Sequence, residues 1–79
     1  MKVKVKFYAD LRDKYAPKCE DGILELRLKD HSQIEDVFDQ LEIDNREIGF
    51  ILLNEKKVQK STSLSEGDFI QIFSFVTGG

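Results

Sequence analysis

Tryptophan is absent from this 79-residue chain, and cysteine, proline, histidine and methionine each occur once. One cysteine cannot close an internal disulfide, so the framework of a small secreted domain is excluded and a reducing, cytoplasmic setting is expected. A lone histidine and a lone cysteine cannot supply the three or four soft or imidazole ligands of a zinc site. Nor do they make a nucleophile–base pair, because Cys19 and His31 fall in separate connectors with no third group to orient them. Cys19 reads as a partly packed loop thiol, and His31 as an exposed residue ahead of a helix cap. The acidic residues are scattered, without the pairing that general acid–base work needs. Long apolar runs are lacking too. None approaches the ~20 residues of a membrane span, and Met1-Lys2-Val3-Lys4 alternates at once, leaving no apolar stretch for a secretory signal. There is no basic excess: 12 Lys+Arg against 15 Asp+Glu give a net charge of −3. That balance argues against nucleic acid and against attraction to anionic membranes. The one basic stripe is short: Lys2, Lys4 and Lys6.

What is there suffices for one small core. Hydrophobic residues make up 41% of the chain, with six Phe. This is too apolar for a disordered tail and too short for two domains. A single domain over residues 1–79 is expected, with residues 77–79 as a flexible tail.

Residues 1–9 read as a strand, because Val3, Val5 and Phe7 alternate with Lys2, Lys4, Lys6 and Tyr8. Residues 10–16 are helix-compatible and are stopped by Pro17. Residues 23–29 form a second alternating strand, with Leu24, Leu26 and Leu28 on one side. Ser32-Gln33-Ile34-Glu35 has the spacing of a capping box and opens the main helix. Ile34, Val37, Phe38 and Leu41 then make one apolar stripe, suited to covering a sheet. Residues 42–49 form a polar connector. Residues 50–54 suit a short buried strand, with a brief second arm at Val58. Glu66-Gly67-Asp68 signals a turn. Residues 69–76 form the last strand, with Ile70, Ile72, Ser74 and Val76 on one face and Phe69, Gln71, Phe73 and Phe75 on the other.

This order predicts an α+β two-layer fold: a mixed sheet of four to five strands covered by one main helix. If the last strand pairs beside the first, the arrangement is a β-grasp like that of ubiquitin. In that case Val5, Phe7, Ile70 and Ile72 face the helix, and Tyr8, Phe73 and Phe75 belong to the open face. Clustered exposed aromatics are typical of interfaces. Lys4, Lys6 and Arg12 read as solvated charge at its rim.

The chain ends Val76-Thr77-Gly78-Gly79, directly after its most apolar strand. Two residues without a Cβ can enter a narrow tunnel and take backbone angles that others resist. A terminal carboxylate with no side chain beside it is open to activation in another protein's active site.

These residues together resemble the MoaD/ThiS sulfur-carrier family of ubiquitin-like proteins. The resemblance runs through Val5-Lys6-Phe7-Tyr8-Ala9-Asp10-Leu11-Arg12, Leu53-Asn54, Leu64-Ser65-Glu66-Gly67-Asp68 and Phe73-Ser74-Phe75-Val76-Thr77-Gly78-Gly79. The first and last segments are most similar to the molybdopterin-synthase small subunit, MoaD. Members of that branch commonly carry two prolines before the Gly-Gly tail, where this chain has Ser74-Phe75. Thiamine, tungsten-cofactor, tRNA-thiolation and protein-modifier relatives therefore stay open.

The resemblance implies a chain with no active site of its own and no bound cofactor. Gly79 would be adenylated by an E1-like enzyme of the MoaB/MoeB/ThiF type, which uses ATP, and converted to a thiocarboxylate. The large subunit of molybdopterin synthase would then take the loaded tail. Thr77 and Gly78 would thread the tail, and Tyr8, Phe73, Phe75 and Val76 would meet the partner. A ubiquitin-like modifier, joined to lysine through Gly79, needs the same ending.

Overall fold

The computed structural model describes residues 1–19 and 21–75. The elements run β1 (Lys2–Phe7), α1 (Ala9–Tyr15), β2 (Ile23–Arg27), α2 (Ile34–Leu41), a 3₁₀ turn (Asn45–Glu47), β3 (Ile48–Leu53), β4 (Lys56–Val58) and β5 (Phe69–Ser74). The strands form one five-stranded sheet in the order β2-β1-β5-β3-β4. β5 lies parallel to β1 and antiparallel to β3. The last strand does return beside the first, and the sheet is mixed.

The alternation of β1 sorts its side chains as expected. Val3, Val5 and Phe7 are buried, and Ile70 and Ile72 of β5 lie beside them. α2 lays Ile34, Val37 and Phe38 into the same core, with Leu41 packed at its edge. α1 adds Leu11 from the other end. Each fully buried side chain of this size contributes roughly 1.5–3 kcal/mol. Cys19 is half-buried against this core and His31 is exposed. Among the described residues no helix is long and apolar enough to cross a membrane.

Three local expectations are corrected. The start of α2 is one residue later than the Ser32/Glu35 spacing suggests. Gln33 is the N-cap, and its N–H donates to Asp36 Oδ2 at 2.7 Å. Ser32 is itself buried; its hydroxyl donates to the Lys29 carbonyl at 2.7 Å and is not available to cap. β3 begins at Ile48, two residues early, because the 3₁₀ turn leads straight into it. Phe50, expected in a buried strand, is 40% exposed. The pairing explains why: the register shifts between Ile48 and Phe50, so Gly49 bulges and Phe50 is set opposite Phe73 on the open face. A Cβ on Gly49 would lie 2.7 Å from the Ser74 carbonyl oxygen, so only glycine allows β3 and β5 to approach this closely.

Candidate functional site

Both helices pack into the core on one side of the sheet, and among the described residues no element covers the other side. Its exposed and half-exposed residues follow from the strand registers. Lys4 pairs with Glu25 and Phe69, and Lys6 with Ile23 and Gln71. Leu52 pairs with Gln71 and Lys57.

At the end of this face where β5 finishes, three aromatic rings stack in a row across the sheet. The Tyr8 and Phe73 centroids are 4.5 Å apart at 7°, and those of Phe73 and Phe50 are 4.4 Å apart at 9°. Each end of the row is capped by a cation. Lys6 Nζ lies 5.0 Å from the Tyr8 centroid, and Lys57 Nζ lies 6.0 Å from that of Phe50. Phe73 is thus stacked on both neighbours, and each end ring has a cation within cation–π range.

The backbone places each member. Tyr8 is the N-cap of α1, directly before Ala9, which turns the chain out of β1 at φ +52°. A non-glycine residue held there stores about 1–2 kcal/mol of strain. The Tyr8 hydroxyl accepts a hydrogen bond from Gln71 Nε2 at 2.6 Å, which fixes the ring over β5. Phe73 sits in the central strand, so it stands between the other two.

Tyr8 and Phe73, both expected on this face, are brought into direct contact. Phe75 is 63% exposed but stands outside the stack. It borders a shallow cleft lined by Asp10, Leu11, Arg46, Glu47 and Ser74. Phe50 and Lys57 join the site without any local alternation pattern that points to them. The signal for Phe50 was Gly49, whose bulge reverses the reading of the apolar run that follows. Val76, Thr77, Gly78 and Gly79 lie outside the described residues.

The chain leaves the sheet beside the 3₁₀ turn. The Phe75 N–H donates to the Glu47 carbonyl at 3.0 Å. The Glu47 carboxylate accepts from Lys14 Nζ at 2.6 Å and from the Tyr15 hydroxyl at 2.9 Å. These two donors, Lys14 first, hold the Glu47 carboxyl below its ordinary range, and the same bond raises Lys14. The Tyr15 hydroxyl in turn accepts from the Asp44 N–H at 3.2 Å, and the Tyr15 ring stacks on Phe7 at 5.4 Å. Arg46, bonded to Asp44 through side chain and backbone, lowers the Asp44 carboxyl. Among the described residues no three His, Cys, Asp or Glu side chains are grouped to hold a metal ion.

A mixed five-stranded sheet with parallel first and last strands, one main helix across one face and a bare opposite face defines the ubiquitin-like β-grasp. Solved structures agree on this fold. A putative molybdopterin converting factor subunit 1 from Pyrococcus furiosus superposes with a TM-score of 0.76 at 21% identity, covering 96% of this chain and 99% of that one. The small archaeal modifier protein 1 of H. volcanii gives 0.75 at 17% identity, covering 95% and 98%. One chain of the complex of subunits 1 and 2 of the molybdopterin-converting factor of Helicobacter pylori gives 0.66 at 19% identity, covering 100% of this chain and 100% of that one. The family model described as ThiS family matches residues 5–79, and the chain belongs to that family. No curated protein matches the sequence.

Proposed function

We propose that this chain is a sulfur carrier whose Gly79 carboxylate is loaded with sulfur and then unloaded by partner proteins. The observation that carries this reading is the family match through residue 79, which includes the Gly78-Gly79 ending. In this reading an E1-like enzyme of the MoaB/MoeB/ThiF type binds ATP, and the Gly79 carboxylate attacks its α-phosphorus. Pyrophosphate leaves and an acyl-adenylate forms. A sulfur nucleophile at the oxidation level of sulfide then attacks the carbonyl carbon. AMP leaves with the C–O bond electrons, and a thiocarboxylate remains.

Molybdopterin synthesis is the pathway we favour, with the synthase large subunit as the second partner and the cytoplasm as the setting. The likeness to the Pyrococcus furiosus and Helicobacter pylori molybdopterin converting factor structures supports it. The chain binds no cofactor of its own in this scheme. Thr77 and Gly78 thread the partner's tunnel, and Tyr8, Phe73, Phe75 and Val76 meet its surface together with Phe50. A second reading, conjugation to lysine through the same glycine, is favoured by the likeness to the archaeal modifier protein.

Intact mass spectrometry tests the proposal. The protein is incubated with ATP, its host's E1-like enzyme and a sulfide source, beside a chain lacking Gly79. A sulfur-for-oxygen mass gain confined to the intact chain is expected. No gain, with the enzyme active on another carrier, overturns the carrier reading.

A further inference from the structure

We propose that Tyr15 and Glu47 are positioning residues for the C-terminal tail, acting through the 3₁₀ turn that holds the Phe75 amide. This rests on the sulfur-carrier reading and goes beyond it, since neither residue belongs to the tail or to the aromatic row.

The physical path is continuous. Phe7 is 1% exposed and fixed in the core, and the Tyr15 ring stacks on it. The single Tyr15 hydroxyl reaches the turn twice, donating to Glu47 and accepting from the Asp44 N–H. Lys14 bonds the same Glu47 oxygen from the same helix. The turn held in this way presents the Glu47 carbonyl, and that carbonyl accepts the Phe75 N–H. Phe75 cannot owe its place to packing, because its side chain is largely in solvent. The last backbone bond described in the chain therefore hangs on a turn that α1 locks to the core.

Tether length gives this bond its functional weight. Four residues carry the chain from Phe75 to Gly79, a reach of at most about 14 Å. A partner that grips the aromatic row must find the carboxylate within that radius and in that direction. If the Phe75 amide is released, the tether starts earlier and the volume open to Gly79 grows. Its effective concentration at the partner's reacting centre then falls. Docking through Tyr8, Phe73 and Phe50 is untouched by the change, and only the share of the contact made by Phe75 and Val76 is loosened. The effect therefore falls more on the rate of the bound complex than on its formation.

The test uses Tyr15→Phe, which keeps the ring and removes the hydroxyl, and Glu47→Ala, with Glu47→Gln as the conservative variant that retains an acceptor. Two readouts are taken. Amide hydrogen exchange on the free chain is expected to quicken at Phe75 by about three- to tenfold in the first two variants. The Ile70 and Ile72 amides keep their rates, and Glu47→Gln recovers part of the loss. ATP–pyrophosphate exchange with the host's E1-like enzyme is expected to show kcat lowered by a similar factor and KM for the carrier changed by less than kcat. An unchanged Phe75 amide overturns the proposal, as does acceleration spread evenly along β5. A freed Phe75 with kcat intact also overturns it while leaving the carrier reading standing. A wild-type chain that is not adenylated overturns the carrier reading, and the proposal falls with it.

Discussion

Truncating the middle ring of the aromatic row should cost much more than truncating an end. Phe73 is stacked on both sides, at 4.5 Å from Tyr8 and 4.4 Å from Phe50. A stacked pair is worth about 0.5–1.5 kcal/mol beyond the area it buries. Phe73→Ala breaks two such pairs, about 1–3 kcal/mol, and the half-buried ring adds about 1 kcal/mol of lost burial. Phe50→Ala breaks one pair from a ring already 40% in solvent, for a total of about 1–2 kcal/mol. In a domain of this size each kcal/mol lowers Tm by about 4–8 °C. Urea unfolding followed by circular dichroism measures both variants and the double variant. A Phe50–Phe73 coupling of about 0.5–1.5 kcal/mol is expected from the cycle. If Phe73→Ala costs no more than Phe50→Ala, or the coupling vanishes, the rings are neighbours without being partners, and the row is no pre-organised unit.

Asn54 and Glu55 both have positive φ, 49° and 72°, and join β3 to β4 by a two-residue turn. Such turns favour glycine at the second position, so Glu55→Gly should raise stability by about 0.5–1 kcal/mol in a thermal melt. The ion pair at the 3₁₀ turn should leave a pH signature. Glu47 has a depressed carboxyl, so its contribution is present above its ordinary 4.5 and is lost as pH falls through the lower folded value. Lys14 is raised, so its share is present below 10.5 and is lost as pH rises through the higher folded value. The Tm difference between wild type and Glu47→Gln is therefore expected to be flat between those limits and to shrink at both extremes. A difference that stays constant into acid would show that the carboxylate does not hold the turn.

Much of this architecture was legible in the sequence, for a physical reason. Period-two alternation in β1 and β5 and the Ile34, Val37, Phe38, Leu41 stripe each encode one burial decision per residue. A helix-covered sheet repeats that decision consistently. The failures came where a residue answers to a partner far away in the chain. Ser32 has the chemistry of a cap, but its hydroxyl is used by Lys29 and its carbonyl by the Leu64 N–H. Phe50 opens an apolar run, yet the bulge at Gly49 is set by the close approach of Ser74, a contact no local pattern announces. The aromatic site was half visible for the same reason. Tyr8 and Phe73 followed from alternation, whereas Phe50 and Lys57 required the register between β3, β4 and β5.

β5 occupies the middle of the sheet, between β1 and β3. During synthesis it emerges after the other described strands, so β1 and β3 must wait for it with their facing edges unpaired. A nascent chain stopped short of Phe69 could form the β1–β2 hairpin and α2 but could not close the sheet. Folding is thereby made conditional on the segment that carries the tail. Interrupted translation products would remain open and be exposed to proteolysis, so a folded molecule that docked on a partner would always contain its terminal strand.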